Sequence, residues 1–544
     1  MKLFGVKFNV KKIEFVFFLL ITLLNILPIV SFKFFPTLDG PAHLYNSNLI
    51  NHLLFSDNSQ LNMFFMFNHE PVPNWSGHII LSLFNLFLPA FLAEKFLLLL
   101  YMIGLPFAFR VLIKTISPDN YFFSYLIFPF TYPFLLILGF YNTCIAIVLL
   151  LVTLTCWIKF EENLTSVKNI IILFILFIAT YFSHLFIFGI LLIIICLHIF
   201  TKTIFNWVNT YNFKKALIIS IRKSLILFLI TLLPLSLLFY YFYSRQSTGV
   251  ANFINHEELL SWIKNIRPII SLNFLAEEKY TKKIFYIIIV ILIIAVYNKI
   301  NSIKVLDAHS FKEKIKYNFN NIFSINDFLL LSAIVFLFLY FIMPDSDGVA
   351  GYVSVRFCLL FFIVLCIWLS VQKFSKWFMI LSICGVLFLH FKLNNIYSKA
   401  ASDLSKIAVQ CSNASKYIEP NSVVLPLNYS ENWLQGHFNN YLGIDKPMVI
   451  LENYECGLSW FPLKWNEKFF PNNILGDFNS NQELQIMLLK NETQYPVKVD
   501  YVFILGDIYS KTDSANRLIN KIVIGNYKLL NSDTVSYKLY GIKK

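Results

Sequence analysis

Asp39 carries the strongest suggestion of chemistry in this chain. It lies in Leu38-Asp39-Gly40-Pro41-Ala42-His43-Leu44-Tyr45-Asn46, directly after an apolar run from Ile13 to Phe35. A carboxylate just beyond a membrane span occupies a partly dehydrated interface, where its proton affinity rises toward that of a useful base. Gly40-Pro41 sets a turn, and a helix starting there brings His43 and Asn46 one turn apart on one face. The plainer alternative is that Asp39 caps that helix while His43 anchors the loop at the headgroups.

Three further groups bear on the same question. Asn68-His69-Glu70-Pro71-Val72-Pro73-Asn74-Trp75-Ser76-Gly77-His78 supplies a second acid, Glu70, with His69 beside it, in the loop that Asp39 opens. A late loop holds Asp345, Asp347, Tyr352 and Arg356. Arg356, at the mouth of a span, suits a planar fork of hydrogen bonds to a phosphate; otherwise it is an interfacial arginine paired with Asp345 or Asp347. Those two carboxylates also offer part of an oxygen shell for a divalent cation. His184 interrupts a long apolar run, and an intramembrane histidine is either a site member or a hydrogen-bonding partner of a neighbouring helix.

The elements that must position these residues follow from composition. Of 544 residues, 57% are hydrophobic, 18% aromatic and 14% charged, and mean hydropathy is +0.64. Soluble chains carry about 25% charged residues, so a cytosolic enzyme and a disordered chain are both excluded. Nearly all of the net charge of +14 resides in residues 1–392, with 30 basic against 17 acidic residues, while residues 393–544 hold 15 against 14. Basic loops beside spans explain that balance through anionic lipid, and no nucleic-acid partner is expected.

Apolar runs long enough for roughly 30 Å of hydrocarbon begin near residues 13, 95, 121, 141, 168, 185, 224, 284, 327, 357 and 375, which makes about 11 transmembrane helices. The run from Lys168 to Phe200 divides at Ser183 and His184, and Gly77 to Leu92 reads as a helix lying on the membrane. Basic residues such as Arg110, Lys214, Lys215, Arg222 and Lys223 then fall on the cytoplasmic side with the N-terminus, and the C-terminus lies outside. The fold class expected is an α-helical polytopic membrane protein with a C-terminal extracytoplasmic α/β domain. Residues 1–392 form the transmembrane domain, with a long first outer loop at 33–94, and residues 393–544 form the soluble domain.

In that domain, strands are expected at Val423 to Leu427, Met448 to Leu451 and Tyr501 to Leu505, helices at Leu404 to Ile418 and Gln482 to Lys490, and a hairpin at the end. Trp433, His437, Asn439, Asn440, Asn453, Tyr454, Glu455 and Trp460 suit either recognition of a sugar or peptide or the core of a small domain. Six of the eight cysteines lie in apolar runs without metal-ligand spacing; Cys411 and Cys456 remain able to form one disulfide.

Leu38-Asp39-Gly40-Pro41-Ala42-His43, Glu70-Pro71-Val72-Pro73-Asn74 and Tyr352-Val353-Ser354-Val355-Arg356-Phe357, in this order of elements, resemble the GT-C superfamily of integral-membrane glycosyltransferases, which includes protein O-mannosyltransferases and the lipid A aminoarabinose transferase. The resemblance implies a GT-C-like fold, inversion at a sugar carbon, a polyprenyl-phosphate-linked sugar donor, and the acid after the first span as general base. Asp39 takes that role here, with Glu70 the second catalytic acid, and Arg356 maps onto the late arginine. Gly40 stands where many members carry a second adjacent acid. His43, His69, His184 and Tyr352 are expected to bind substrate, and Asp345 with Asp347 a possible divalent cation.

Partners expected on this reading are the lipid-linked donor, membrane lipids, and a glycan, lipid or protein acceptor. The competing classes are a polytopic transporter or lipid-glycan flippase, and a surface-polysaccharide polymerase or ligase. Against transport, the chain has no evident two-half repeat, and its acids lie in loops. Abundant Lys, Asn, Ile and Phe fit an AT-rich bacterial genome, which makes the expected location the bacterial inner membrane with the C-terminal domain in the periplasm.

Overall fold

A computed structural model describes residues 2–3, 6–7, 10–118, 120–244, 249–301, 316–317, 319–320, 322–348, 351–470, 482–507, 513–533 and 536–543. Among these, eight helices are long and apolar enough to cross a bilayer: Ala90–Ile116, Tyr141–Asn163, Leu185–Thr210, Phe213–Ser244, Phe274–Asn301, Ile325–Ile342, Val353–Ser370 and Lys376–Tyr417. The chain is a polytopic helical membrane protein. The other three expected runs form shorter apolar elements: Val10–Asn25 followed by Leu27–Val30, a 3-10 stretch at Tyr121–Thr131, and Val167–Ser183. Tyr121–Thr131 is crowded with aromatics and contains Pro129, which lacks the N–H an α-helix needs. His184 divides the long run as expected, its extended backbone (φ −162°, ψ 120°) ending one helix at Ser183 and opening the next at Leu185.

Two compact units are present. The first comprises Met1–Leu27, Tyr101–Leu135 and Thr143–Tyr397. Val353–Ser370 is its central helix, with 89% of its apolar window buried, against 22% for Phe213–Ser244 and for Phe274–Asn301. Those two helices leave Ile218, Leu225, Phe228, Leu232 and Ile293 exposed. Such surface is stable in lipid and not in water. Several charged residues inside this unit are paired. Arg110 donates through Nη1 and Nη2 to the Glu14 carboxylate at 2.8 and 2.5 Å, so this basic residue from the cytoplasmic tally is neutralised within the fold. Asp327 accepts from Lys299 at 2.6 Å and from the Trp368 indole at 2.7 Å.

The second unit comprises Pro28–Leu100, Leu136–Asn142 and Ser398–Lys544. The first outer loop therefore packs with the C-terminal region, and the chain passes between units several times where the sequence suggested one boundary after residue 392. Its strands are β1 (Phe65–Phe67), β2 (Val423–Tyr429), β3 (Val449–Ile450), β4 (Leu463–Trp465), β5 (Tyr501–Gly506), β6 (Tyr527–Ser532) and β7 (Tyr537–Ile542). One sheet runs β3-β2-β5-β7-β6; β2 is parallel to β3 and β5, and the remaining pairs are antiparallel.

The expected strands and terminal hairpin are thus present. β2 and β5 read as near-continuous apolar runs because they are buried on both faces. Pro426 is tolerated because β3 pairs only as far as Val424, leaving an edge beyond it. β1 pairs with β4, Phe65 stacking on Trp465 at 4.9 Å. The helix expected at 404–418 is the end of one 39-residue helix, Lys376–Ala414.

The segment expected to lie on the membrane forms the helix Ser76–Asn85, which buries Gly77, His78, Leu81 and Ser82 and leaves Ile79 and Leu83 exposed. All eight cysteines are free, so Cys411 and Cys456 form no disulfide; both are buried.

Candidate functional site

The site is built on the helix Gly40–Phe55, whose residues from Gly40 to Ile50 are all buried. So polar a segment is stable there only because its side chains find partners. Asn46 and Asn453 exchange amide hydrogen bonds of 3.0 and 2.8 Å. The Tyr45 hydroxyl donates to the Met448 carbonyl at 2.9 Å, and the Asn48 amide donates to the Gly443 carbonyl at 2.8 Å.

The chain entering this helix is held by Leu136–Asn142. Leu38 N–H donates to Ile137 O at 2.9 Å and Asp39 N–H to Leu138 O at 3.1 Å. Gly139 has φ +83°, and a Cβ there would stand 2.8 Å from the Asp39 backbone nitrogen. Only glycine fits. Gly40 is required for a related reason. A Cβ at that position would lie 2.1 Å from Thr37 Oγ1, 2.4 Å from the Tyr141 hydroxyl and 2.7 Å from Glu94 Oε1. Those three groups are themselves joined by hydrogen bonds of 2.8 Å. The space for a second adjacent acid is filled by Glu94 and Tyr141.

Asp39 occupies the N-cap position without making a side-chain cap hydrogen bond. Its carboxylate faces His437, Nε2 lying 3.7 Å from Oδ1, and Tyr454 lies beside it. His437 is aligned by Glu452, whose Oε1 is 2.9 Å from Nδ1, and its ring stacks on Tyr454 at 4.4 Å. Asn440 donates to the other Glu452 oxygen at 3.1 Å.

Burial pushes the Asp39 carboxyl up to about 6, against the opposing pull of His437 and His43. The His437 imidazole is lowered by burial but raised more strongly by Glu452 and Asp39, for a net rise. The Tyr454 phenol is driven well up by burial and then by the Asp39 charge.

One turn below Asp39, His43 contacts the Gly139 carbonyl through Nε2 at 3.0 Å and Glu455 Oε1 through Nδ1 at 2.6 Å. His78, from Ser76–Asn85, places Nε2 2.7 Å from the other Glu455 oxygen. Asn142 fixes the start of that helix, accepting from Gly77 N–H at 2.7 Å and from the Ser76 hydroxyl at 3.0 Å. Phe461 closes over both imidazoles. Burial would raise Glu455, but His43 and His78 outweigh it and hold the carboxyl at about 2. The Asp39 side chain keeps 12% exposure, against 1–4% for His43, His78 and Glu455. Asp39 is the least buried of these four side chains.

The sequence candidates therefore separate. Asp39 and His43 lie in this cluster, whereas His69 and Glu70 are exposed on the loop after β1; the acids that join the cluster are Glu452 and Glu455. His184, Tyr352, Arg356, Asp345 and Asp347 belong to the other unit. There, His184 lies within electrostatic reach of the Arg356 guanidinium. Tyr352 precedes the Val353–Ser370 helix in a left-handed conformation, its ring against Phe134 at 5.7 Å. Asp345 Oδ1 accepts from Ser354 N–H at 2.9 Å, satisfying a donor at that helix start. Asp347 is half-buried.

Among the described residues, the one group of three or more ligand-type side chains close enough to share an ion is His43, His78 and Glu455. Asp345 and Asp347 do not form such a group. Sequence reasoning saw His437, Tyr454 and Glu455 only as recognition or core residues; the available signal was the density of acids, amides and a histidine between 437 and 455.

No family model matches the chain, and no curated protein matches it. Fold and site define a polytopic helical membrane protein whose second unit carries a buried carboxylate–imidazole cluster with one partly open aspartate.

Proposed function

We propose that the chain is an inverting membrane glycosyltransferase that moves a sugar from a polyprenyl-phosphate-linked donor to an acceptor on the extracytoplasmic face. On this reading it has eleven spans, a cytoplasmic N-terminus and a periplasmic C-terminal region in a bacterial inner membrane. The observation that carries the reading is Asp39. It is a carboxylate just after the first apolar helix, not engaged in capping, partly open, and raised by burial toward the range of a working base. Asp39 takes the proton of the acceptor hydroxyl as its oxygen attacks the sugar carbon. The bond from that carbon to the donor phosphate oxygen breaks, and the polyprenyl phosphate leaves with the electron pair. His437, held by Glu452, orients Asp39.

A cleft of about 460 Å³ at the end of β2, lined by Asn428, Glu431, Asn432, Trp433, Asp513 and Asn516, does not include Asp39. An aromatic face among amides and carboxylates supports acceptor binding there.

The test is transfer from polyprenyl-phosphate-linked sugars by the full chain in proteoliposomes. Asp39→Asn is expected to insert normally and to lower turnover by about 10²–10⁴-fold. Near-parental turnover rejects the base assignment.

A further inference from the structure

We propose that His43, His78 and Glu455 form a binding site for one divalent transition-metal ion of the zinc type. The inference does not rest on the transfer reaction, because it concerns three residues that the proposed chemistry leaves unused.

The argument begins with the His43 tautomer. Its Nε2 lies 3.0 Å from the Gly139 carbonyl, a group that only accepts, so Nε2 carries the proton. In neutral imidazole that leaves a lone pair on Nδ1, which faces Glu455 Oε1 at 2.6 Å. Two lone pairs at that distance repel unless positive charge lies between them. A second proton on Nδ1, shared with Oε1, is one source and a metal ion is the other; both atoms are buried.

The surroundings agree. A histidine that binds metal through one nitrogen usually donates the other N–H to a carbonyl or carboxylate, and His43 has that arrangement with Gly139. His78 adds Nε2 at 2.7 Å from the second carboxylate oxygen. The three ligand atoms lie within 4.8 Å of one another.

Two imidazoles and one carboxylate form a donor set suited to zinc and its neighbours, and poorly matched to Mg²⁺ or Ca²⁺, which take oxygen shells. It leaves a fourth position for water or another ligand. Asp39 and Glu455 add buried negative charge that the ion would offset.

The experiment is metal analysis of the full-length chain purified in detergent, stripped with a chelator and reloaded separately with Zn²⁺, Co²⁺ and Mg²⁺. One equivalent of zinc is expected after desalting, with a visible ligand-field spectrum for cobalt and no magnesium retained. Glu455→Gln and His78→Gln are each expected to weaken zinc binding by at least about 10-fold, and Glu419→Gln, at an exposed position, to leave it unchanged. Failure of the parent chain to hold zinc or cobalt overturns the proposal and points to a proton-bridged network. So does zinc retained in both ligand variants, or lost in Glu419→Gln. If the ligand variants do not fold, the parent's zinc content and cobalt spectrum decide the matter. None of these readouts needs an acceptor, so loss of the site and loss of the glycosyltransferase reading are separately visible.

Discussion

Asn46 and Asn453, 407 residues apart in sequence, exchange reciprocal amide hydrogen bonds in a fully buried setting. The pair ties the helix that follows Asp39 to the loop that supplies Glu452, Tyr454 and Glu455. Replacing Asn46 with Ala strands the Asn453 amide, at a cost of about 1–3 kcal/mol. Removing both amides should cost less than the sum of the two single changes. Thermal unfolding of the two single variants and the double variant, read as a cycle, checks this. Strict additivity counts against the coupling.

The pH dependence of transfer should follow Asp39. Its carboxyl lies at about 6 rather than the ordinary 3.8, burial being the main cause. Below that value it holds a proton and cannot accept one, so turnover should rise as pH increases through about 6 and level off above it. His437 lowers the carboxyl, so His437→Gln should move the midpoint upward, which a merely structural histidine would not do. A rate profile flat between pH 5 and pH 7 argues against Asp39 as the base.

Gly40→Ala should destabilise the second unit by about 1–3 kcal/mol through overpacking, because the added methyl meets Thr37, Tyr141 and Glu94. Differential scanning of the purified variant measures the shift. An unchanged melting temperature contradicts the close approach at this position.

In the helical unit, the buried Glu14–Arg110 pair predicts an asymmetry. Glu14→Ala leaves a buried guanidinium without its carboxylate and should cost about 3–5 kcal/mol, while Glu14→Leu combined with Arg110→Met should recover much of that loss. Detergent-resistant folded yield and unfolding midpoints compare the two. Equal losses in both proteins would show that the pair contributes no mutual compensation.

Much of the architecture was legible because membrane helices and central strands announce themselves by local composition. Eight apolar runs, the break at His184, β2, β3, β5 and the final hairpin all follow from neighbours in sequence. Three runs form shorter elements; in Tyr121–Thr131, proline and aromatic crowding oppose a regular helix, which hydropathy does not register. The site was legible by half. Asp39 and His43 are one helical turn apart, so spacing alone puts them together. Glu70 and His69 drew attention by their nearness in the same loop, yet they are exposed, and His78, nine residues beyond His69, is the histidine that turns inward.

Sequence by itself determined that this chain lives in a bilayer, since no water-soluble fold can leave so much aliphatic surface uncovered, and that an acid stands where its first apolar helix ends. Tertiary structure alone decided which groups surround that acid. His437, Glu452, Tyr454 and Glu455 reach it across roughly 400 residues of chain, and Gly139 and Gly40 leave the room in which they meet. Periodicity reports which face of an element is apolar. Which distant polar groups satisfy a buried polar helix depends on hydrogen-bond geometry that forms only when the chain closes.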